Sequence, residues 1–312
     1  MSWLSRLLPF LGPRPPQEIV ELATALIGEA QGRKLLEASS EATIRLHGQV
    51  MKLRSAPGDN TLQRLGSEFS GDNYGLGRLS SDRACAASVV VDCGANIGSF
   101  AIAAWLTNRD TRVVALEPMP VTYIFLRWNL LLNHVPTLGV SAGSPLPSLS
   151  SPLPTQAGVL PLLAPATADG RPVSLEYSPT VSQNGITDAS FQHGTLPKNS
   201  DYDVQSPGDS NYIRQANTFR RTRRVASVDL AAWLQERRVP YRTPLCFLKL
   251  DCEGCEHEVV PRLNRTSVLK KARHVAAEVH ECLSTHACQY SRLHVSATKA
   301  LLEQTRRART LG

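Results

Sequence analysis

Residues able to do chemistry gather at four points of the chain. The first is the stretch 88-SVVVDCGANIGSFAIAAW-105, in which an apolar run reaches Asp92, and Gly94, Asn96 and Gly98 follow before an apolar segment. Glycines at such a turn let the backbone come close to a ligand and adopt torsions closed to other residues. A helix starting there offers free amides at its first turn. The spacing is D-x-G-x-x-x-G and not G-x-G-x-x-G. That favours a ligand carrying an amino acid moiety over a pyrophosphate, with Asp92 placed to neutralise an amine or a sulfonium. The second point is Glu117, 19 residues after Gly98. An acid at the end of the next strand can accept both hydrogens of a ribose diol. The third is LKLDCEGCEHE, carrying Asp251 and Glu253, and the fourth is the Glu278/His280 pair. A glycine turn alone also serves as a mere corner between strand and helix; joined to a strand-end acid at this distance it becomes a specific signal.

These residues need elements to hold them. Residues 89–92 and 112–117 read as strands, and 99–107 and 121–133 as helices, the second with Ile124, Leu126, Leu130 and Leu131 as buried positions. This alternation implies a parallel sheet with right-handed crossovers. In such a sheet ligands sit beyond the carboxyl ends of the strands, where Asp92, Glu117, Asp251 and His280 all fall. Residues 159–164, 172–177, 225–228, 245–250 and 274–279 read as further strands. Asp229 caps a helix running to about residue 238, and a helix runs from Cys255 towards Asn264, expected to stop or kink near Pro261. Residues 296–309 read as an amphipathic helix. Ahead of the sheet, residues 1–16 read as a flexible terminus and 17–53 as helical, with Ile19, Leu22, Ala23, Leu26 and Ile27 at helical spacing. Residues 55–83 read as loop with short strands. The Ser/Pro-rich, uncharged segment 139–157 reads as a disordered insert.

The 312 residues and 42% hydrophobic content suffice for a full core. The formal net charge of +7 leaves nucleic acid open as a partner. The arginine clusters at 220–224 and 306–309 lack interleaved aromatics, so nucleic acid is not expected. No apolar run approaches the length of a membrane span. Seven cysteines in a long chain do not resemble a small disulfide scaffold. They point to a reducing compartment, the cytoplasm first. The start MSWLSRLLPFLGPRPPQ has two arginines and no acid, which keeps organelle targeting open. Cys252-Glu253-Gly254-Cys255 has metal-like spacing, with His257, Cys282 and Cys288 beyond it. Small buried hydrophobes are the commoner fate of free cysteine, so no metal is expected.

Five segments together carry a resemblance. VVVDCGANIGSFAIAAW, VVALEPMPVTYIFLRWNLLLN, SVDLAAWL, FLKLDCEGCEHEVVPRL and HVAAEVHE follow in this order. The chain resembles the FkbM family of S-adenosylmethionine-dependent methyltransferases from about Val89 to Glu281. The resemblance implies a class I methyltransferase-like, Rossmann-like α/β fold, a mostly parallel sheet with helices on both faces, here over residues 84–312. It implies S-adenosylmethionine as cofactor and methylation of a hydroxyl on a small molecule or sugar. It places Asp92, Gly94, Asn96 and Gly98 around the methionine part of the cofactor, Glu117 at the ribose and residues 164–169 toward the adenine. Asp251 and Glu253 fall in its L-K-x-D-x-E-G segment, facing or organising the reaction centre, and with His280 they are the candidate bases by strand-end position. Cys252 and Cys255 stand where that family usually has small apolar residues. The loops over 177–224 are expected to shape the acceptor pocket.

One departure bears on function. Class I methyltransferases usually end in a β-hairpin, and here no alternating apolar segment follows the last helix. The strand at 275–280 is then expected at an open edge unless another chain or the N-terminal segment covers it. That favours, as the alternative reading, a non-catalytic cofactor-binding or scaffold protein that keeps the fold. An NAD-dependent enzyme is disfavoured by the glycine spacing.

Overall fold

Val89, Val90, Val91, Val113 and Val114 are all fully buried, as β-branched runs in the middle of a parallel sheet must be. The computed structural model describes residues 14–46, 48–57, 61–62, 65, 72, 74–82, 85–140, 146–177, 185–186, 221–252, 254–279 and 292–310. The elements, in order, begin with α1 (Gln17–Ile27), α2 (Glu29–Glu37), β1 (Ser40–Leu46), β2 (Gln49–Ser55) and α3 (Gly77–Ser81). Next come β3 (Val89–Cys93), α4 (Ser99–Thr107), β4 (Arg112–Leu116), α5 (Pro120–Leu132) and β5 (Gly158–Leu162). Short strands follow: β6 (Ala166–Thr167), β7 (Val173–Tyr177), β8 (Gly185–Ile186), β9 (Arg221–Val225) and β10 (Val228–Asp229). The chain continues through α6 (Leu230–Glu236), β11 (Leu245–Leu250), α7 (Glu256–Arg265), α8 (Val268–Lys271), β12 (His274–Ala277) and α9 (Arg292–Thr310).

The main sheet has five parallel strands in the order β12-β11-β3-β4-β5. The chain winds outward from β3 to β4 and β5, then returns to lay β11 and β12 on the other side of β3. Right-handed crossovers therefore put α4 and α5 on one face and α6 and α7 on the other. The reversal lies between β3 and β11, which is where ligands enter folds of this kind. This is the α/β sheet expected from the sequence. Among the described residues no strand pairs with the outer side of β12, and no helix is long and apolar enough to cross a membrane.

Four expectations change. The helical lead-in breaks at residue 40, where β1 and β2 form an antiparallel hairpin. Thr43 and Ile44 favour strand, Ile44 and Leu46 are buried with Arg45 exposed between them, and Gly48 takes φ +78° at the corner. Within 55–83 the described residues hold α3 and no strand beyond the end of β2. The segment 146–157 is not a loose insert. Leu146, Leu149 and Leu153 pack on the core, the Trp233 indole donates to the Leu149 carbonyl at 2.8 Å, and the Arg237 guanidinium donates to the carbonyls of Leu149 and Ser151. Proline-rich backbone has few N–H groups of its own to occupy its carbonyls, so they are free to accept. Finally, α7 does not stop at Pro261: it runs on to Arg265, one residue past the expected reach to Asn264.

Asp229 caps α6 as expected: its side chain accepts from the Ala232 amide at 3.0 Å and pairs with Arg262 at 2.8 Å. Asp229→Ala should lower stability by about 1–2 kcal/mol, read as a lower urea midpoint at unchanged slope.

Candidate active site

Asp92 on β3 and Lys249 on β11 are directly opposite in the strand pairing, so their side chains leave the same face. Both are buried. A buried lysine needs partners. The Lys249 ammonium has Asp92 Oδ1 at 3.1 Å, the Gly94 carbonyl at 2.9 Å and Asp251 Oδ2 at 3.4 Å. The rings of Tyr74 and Phe100 lie 5.6 and 5.8 Å from it. Burial works against its charge, but Asp92 and Asp251 outweigh burial and hold the ammonium protonated well above the usual lysine range. Burial in turn raises the Asp92 carboxyl, against the pull of Lys249. The Tyr74 hydroxyl reaches the same Asp251 oxygen at 3.4 Å. Asp251, at the carboxyl end of β11, keeps 22% of its side chain exposed and so faces the crevice.

The glycine turn sits against this pair. Gly94 has φ +80°, and a Cβ there would lie 1.7 Å from the Asp251 carbonyl oxygen. The glycine is what lets the loops after β3 and β11 touch. Gly94→Ala should therefore cost about 2–4 kcal/mol. Gly28, with φ +94° and open space around it, should lose only about 1 kcal/mol on the same change. Chemical denaturation of the two variants side by side checks the difference. Gly98, at φ +86°, starts α4 with Leu126 of α5 pressed against it. The turn is held from behind by Asn129 of α5, whose amide donates to the carbonyls of Ile97 and Arg54 and whose oxygen accepts from the Arg54 amide.

Glu117 follows β4 and closes the site's other side. Its two oxygens accept from the Asn96 and Met119 amides, each at 2.8 Å. Burial pushes its carboxyl up to about 7, with the two amides opposing. Each oxygen keeps a lone pair for a further donor. Among the described residues the buried Asn96 Oδ1 has no hydrogen-bond partner, and Asp92 faces the Lys249 ammonium with the Ala101 backbone amide close by. Gly94, Asn96 and Pro118 are half-buried, so the turn and the residue after Glu117 reach the surface together. An acceptor-rich cluster of this kind suits a ligand that brings donors and positive charge, such as a diol and an amine. Residues 164–169 leave the end of β5 beside Glu117, whose amide bonds to the Leu162 carbonyl at 3.0 Å.

Asp92, Gly94, Asn96, Gly98, Glu117 and Asp251 are thus brought to one end of the sheet. Glu253 and His280 lie outside the described residues, as do most of the loops over 177–224 and residues 1–13. Two participants escaped sequence reasoning. Lys249 had a signal, a lone charge inside an apolar strand. Tyr74 had none, being 177 positions from its partner in a polar loop.

The cysteines differ from the expectation of unpaired thiols. Cys85–Cys246 and Cys252–Cys255 are bonded, and Cys93 is a buried free thiol.

The family model described as the methyltransferase FkbM domain matches residues 92–285, from Asp92 of the glycine turn to beyond β12. Comparison with curated proteins and with solved structures gives no match.

Proposed function

We propose, from the premise that this chain belongs to the FkbM methyltransferase domain family, that it methylates a hydroxyl group of a small molecule or sugar with S-adenosylmethionine as donor. The observation that carries this reading is Glu117, fixed to the Asn96 amide across the ends of β3 and β4 with lone pairs to spare. A ribose diol needs such an acceptor, and Asn96 Oδ1, which no donor among the described residues reaches, suits an amino acid moiety. The residues present therefore fit the group. When bound, that cofactor would supply an activated methyl group on a sulfonium sulfur.

The chain's own contribution is alignment and proton removal. Methyl transfer needs the acceptor oxygen held in line, so positioning supplies much of the rate. In this reading Asp251 takes the hydroxyl proton as the oxygen attacks. Partial exposure of its side chain at the end of β11, with the Tyr74 hydroxyl and Lys249 at its Oδ2, supports that role. Glu253 and His280 are the other candidates, on sequence position.

Calorimetric titration with S-adenosylhomocysteine should give one site per chain, and the same ligand should raise the melting temperature. The absence of both heat and thermal shift with intact protein would remove the reading. The acceptor is then found by mass spectrometry of cell extracts incubated with methyl-labelled cofactor. Binding without label transfer to any hydroxyl compound would select the non-catalytic alternative.

A further inference from the structure

We propose that Cys93, Cys252 and Cys255 form, in their reduced state, a thiolate site for a soft d10 metal ion beneath the turn that follows β11. Cys93 ends β3, and the C-x-x-C pair follows the neighbouring strand β11, so the parallel pairing itself brings the three together. Their sulfurs lie within 4.8 Å of one another. The Cys93 and Cys255 sulfurs are 3.8 Å apart. Zinc–sulfur bonds of about 2.3 Å in a tetrahedron set ligand sulfurs about 3.8 Å apart.

The turn is also shaped in advance. Glu256 is fully buried, and its carboxylate accepts from the Cys252 amide at 2.7 Å and from the Gly254 amide at 2.9 Å. This fixes the backbone on which two of the three sulfurs stand. Cys93 and Cys255 are each 1% exposed, while Cys252 is half-buried and gives access from the surface. Thiolates in such a site select soft ions such as zinc(II) or copper(I) over hard ones.

The bonded and metal-holding states exclude each other, because the Cys252–Cys255 bond leaves one free thiol of the three. Opening it takes two electrons and two protons from a dithiol reductant, which is itself converted to a disulfide. The incoming ion then displaces the three thiol protons to solvent. Metal loading would follow the redox state of the C-x-x-C turn, whose first cysteine adjoins Asp251.

The test uses the full chain, reduced with a dithiol, stripped with a chelator, exposed to zinc(II) and passed through a desalting column. Wild type should retain one zinc more than Cys93→Ser or Cys252→Ala, with folding checked by circular dichroism. Taking the difference removes any contribution from the second cluster, Cys85, Cys246 and His274. Cobalt(II) in place of zinc should give wild type an intense near-ultraviolet sulfur-to-metal band that the variants weaken and prior oxidation abolishes. Equal zinc in wild type and Cys252→Ala would overturn the proposal. So would a reduced wild type with no cobalt–sulfur band, whether or not the variants fold.

Discussion

Glu117→Gln should weaken S-adenosylhomocysteine binding at least tenfold, about 1.4 kcal/mol or more. The carboxylate has two acceptor oxygens, and each already takes one backbone amide at 2.8 Å. A glutamine has one acceptor. Its amino group would face either the Asn96 or the Met119 N–H, leaving a buried donor unpaired at a cost of about 1–3 kcal/mol. A ribose diol would also lose one of its two acceptors. Calorimetry reads the affinity, and unchanged affinity would remove Glu117 from the cofactor site. The same residue sets a pH dependence. Burial raises its folded value from 4.5 to about 7. Between those values the folded protein binds more protons than the unfolded chain. The stability contributed is therefore present below about pH 4.5 and lost as pH rises through about 7. The 2.5-unit rise corresponds to about 3 kcal/mol. Ligand affinity should run the other way, because the ionised carboxylate is the better acceptor for two hydroxyls. Melting of the free protein should fall from pH 5 to 8, while S-adenosylhomocysteine binding strengthens. Glu117→Gln should flatten both trends.

Lys249→Met should cost about 3–5 kcal/mol, the range found when one partner of a buried ion pair is removed. Its ammonium is the cation that the structure places between Asp92 and Asp251, at 3.1 and 3.4 Å. Methionine fills the space but leaves two carboxyl groups facing each other, one of them fully buried. The loss should be larger at pH 8 than at pH 5, because burial raises the Asp92 carboxyl and eases its protonation at the lower pH. Adding Asp92→Asn to the same chain should recover part of the loss, because the buried charge goes with its partner. Urea unfolding of the single and double variants measures both effects. An unchanged midpoint in Lys249→Met would mean that the pair contributes nothing to the fold.

The strand-end acids were legible for a simple reason. In a sheet buried on both faces the strands are largely apolar runs, and Asp92, Glu117 and Asp251 stand out where those runs end. Asp229 was legible because capping is local chemistry. The hairpin from Ser40 to Ser55 was not, because its period-two pattern is short and follows directly on helical spacing at Leu35 and Leu36. Residues 146–157 misled because their anchorage uses backbone carbonyls, which composition does not display. Tyr74 could not be paired with Asp251 by any local rule, since only the folded chain makes them neighbours.

The three hydrogen bonds of Asn129 bear on where the chain can be cut. The family match starts at Asp92, yet Asn129 ties the glycine turn to Arg54, and Asp82 pairs with Arg273 and His274 at the start of β12. Between Pro120 and Leu130 every residue of α5 is buried, because α1 and β2 cover the side that the sheet leaves bare. A protein trimmed to the matched region would present that apolar side to water and would lose Tyr74 from the crevice. The recognisable domain is thus shorter than the unit that expression and labelling experiments must carry, because α1, β2 and Asp82 pack against the matched region.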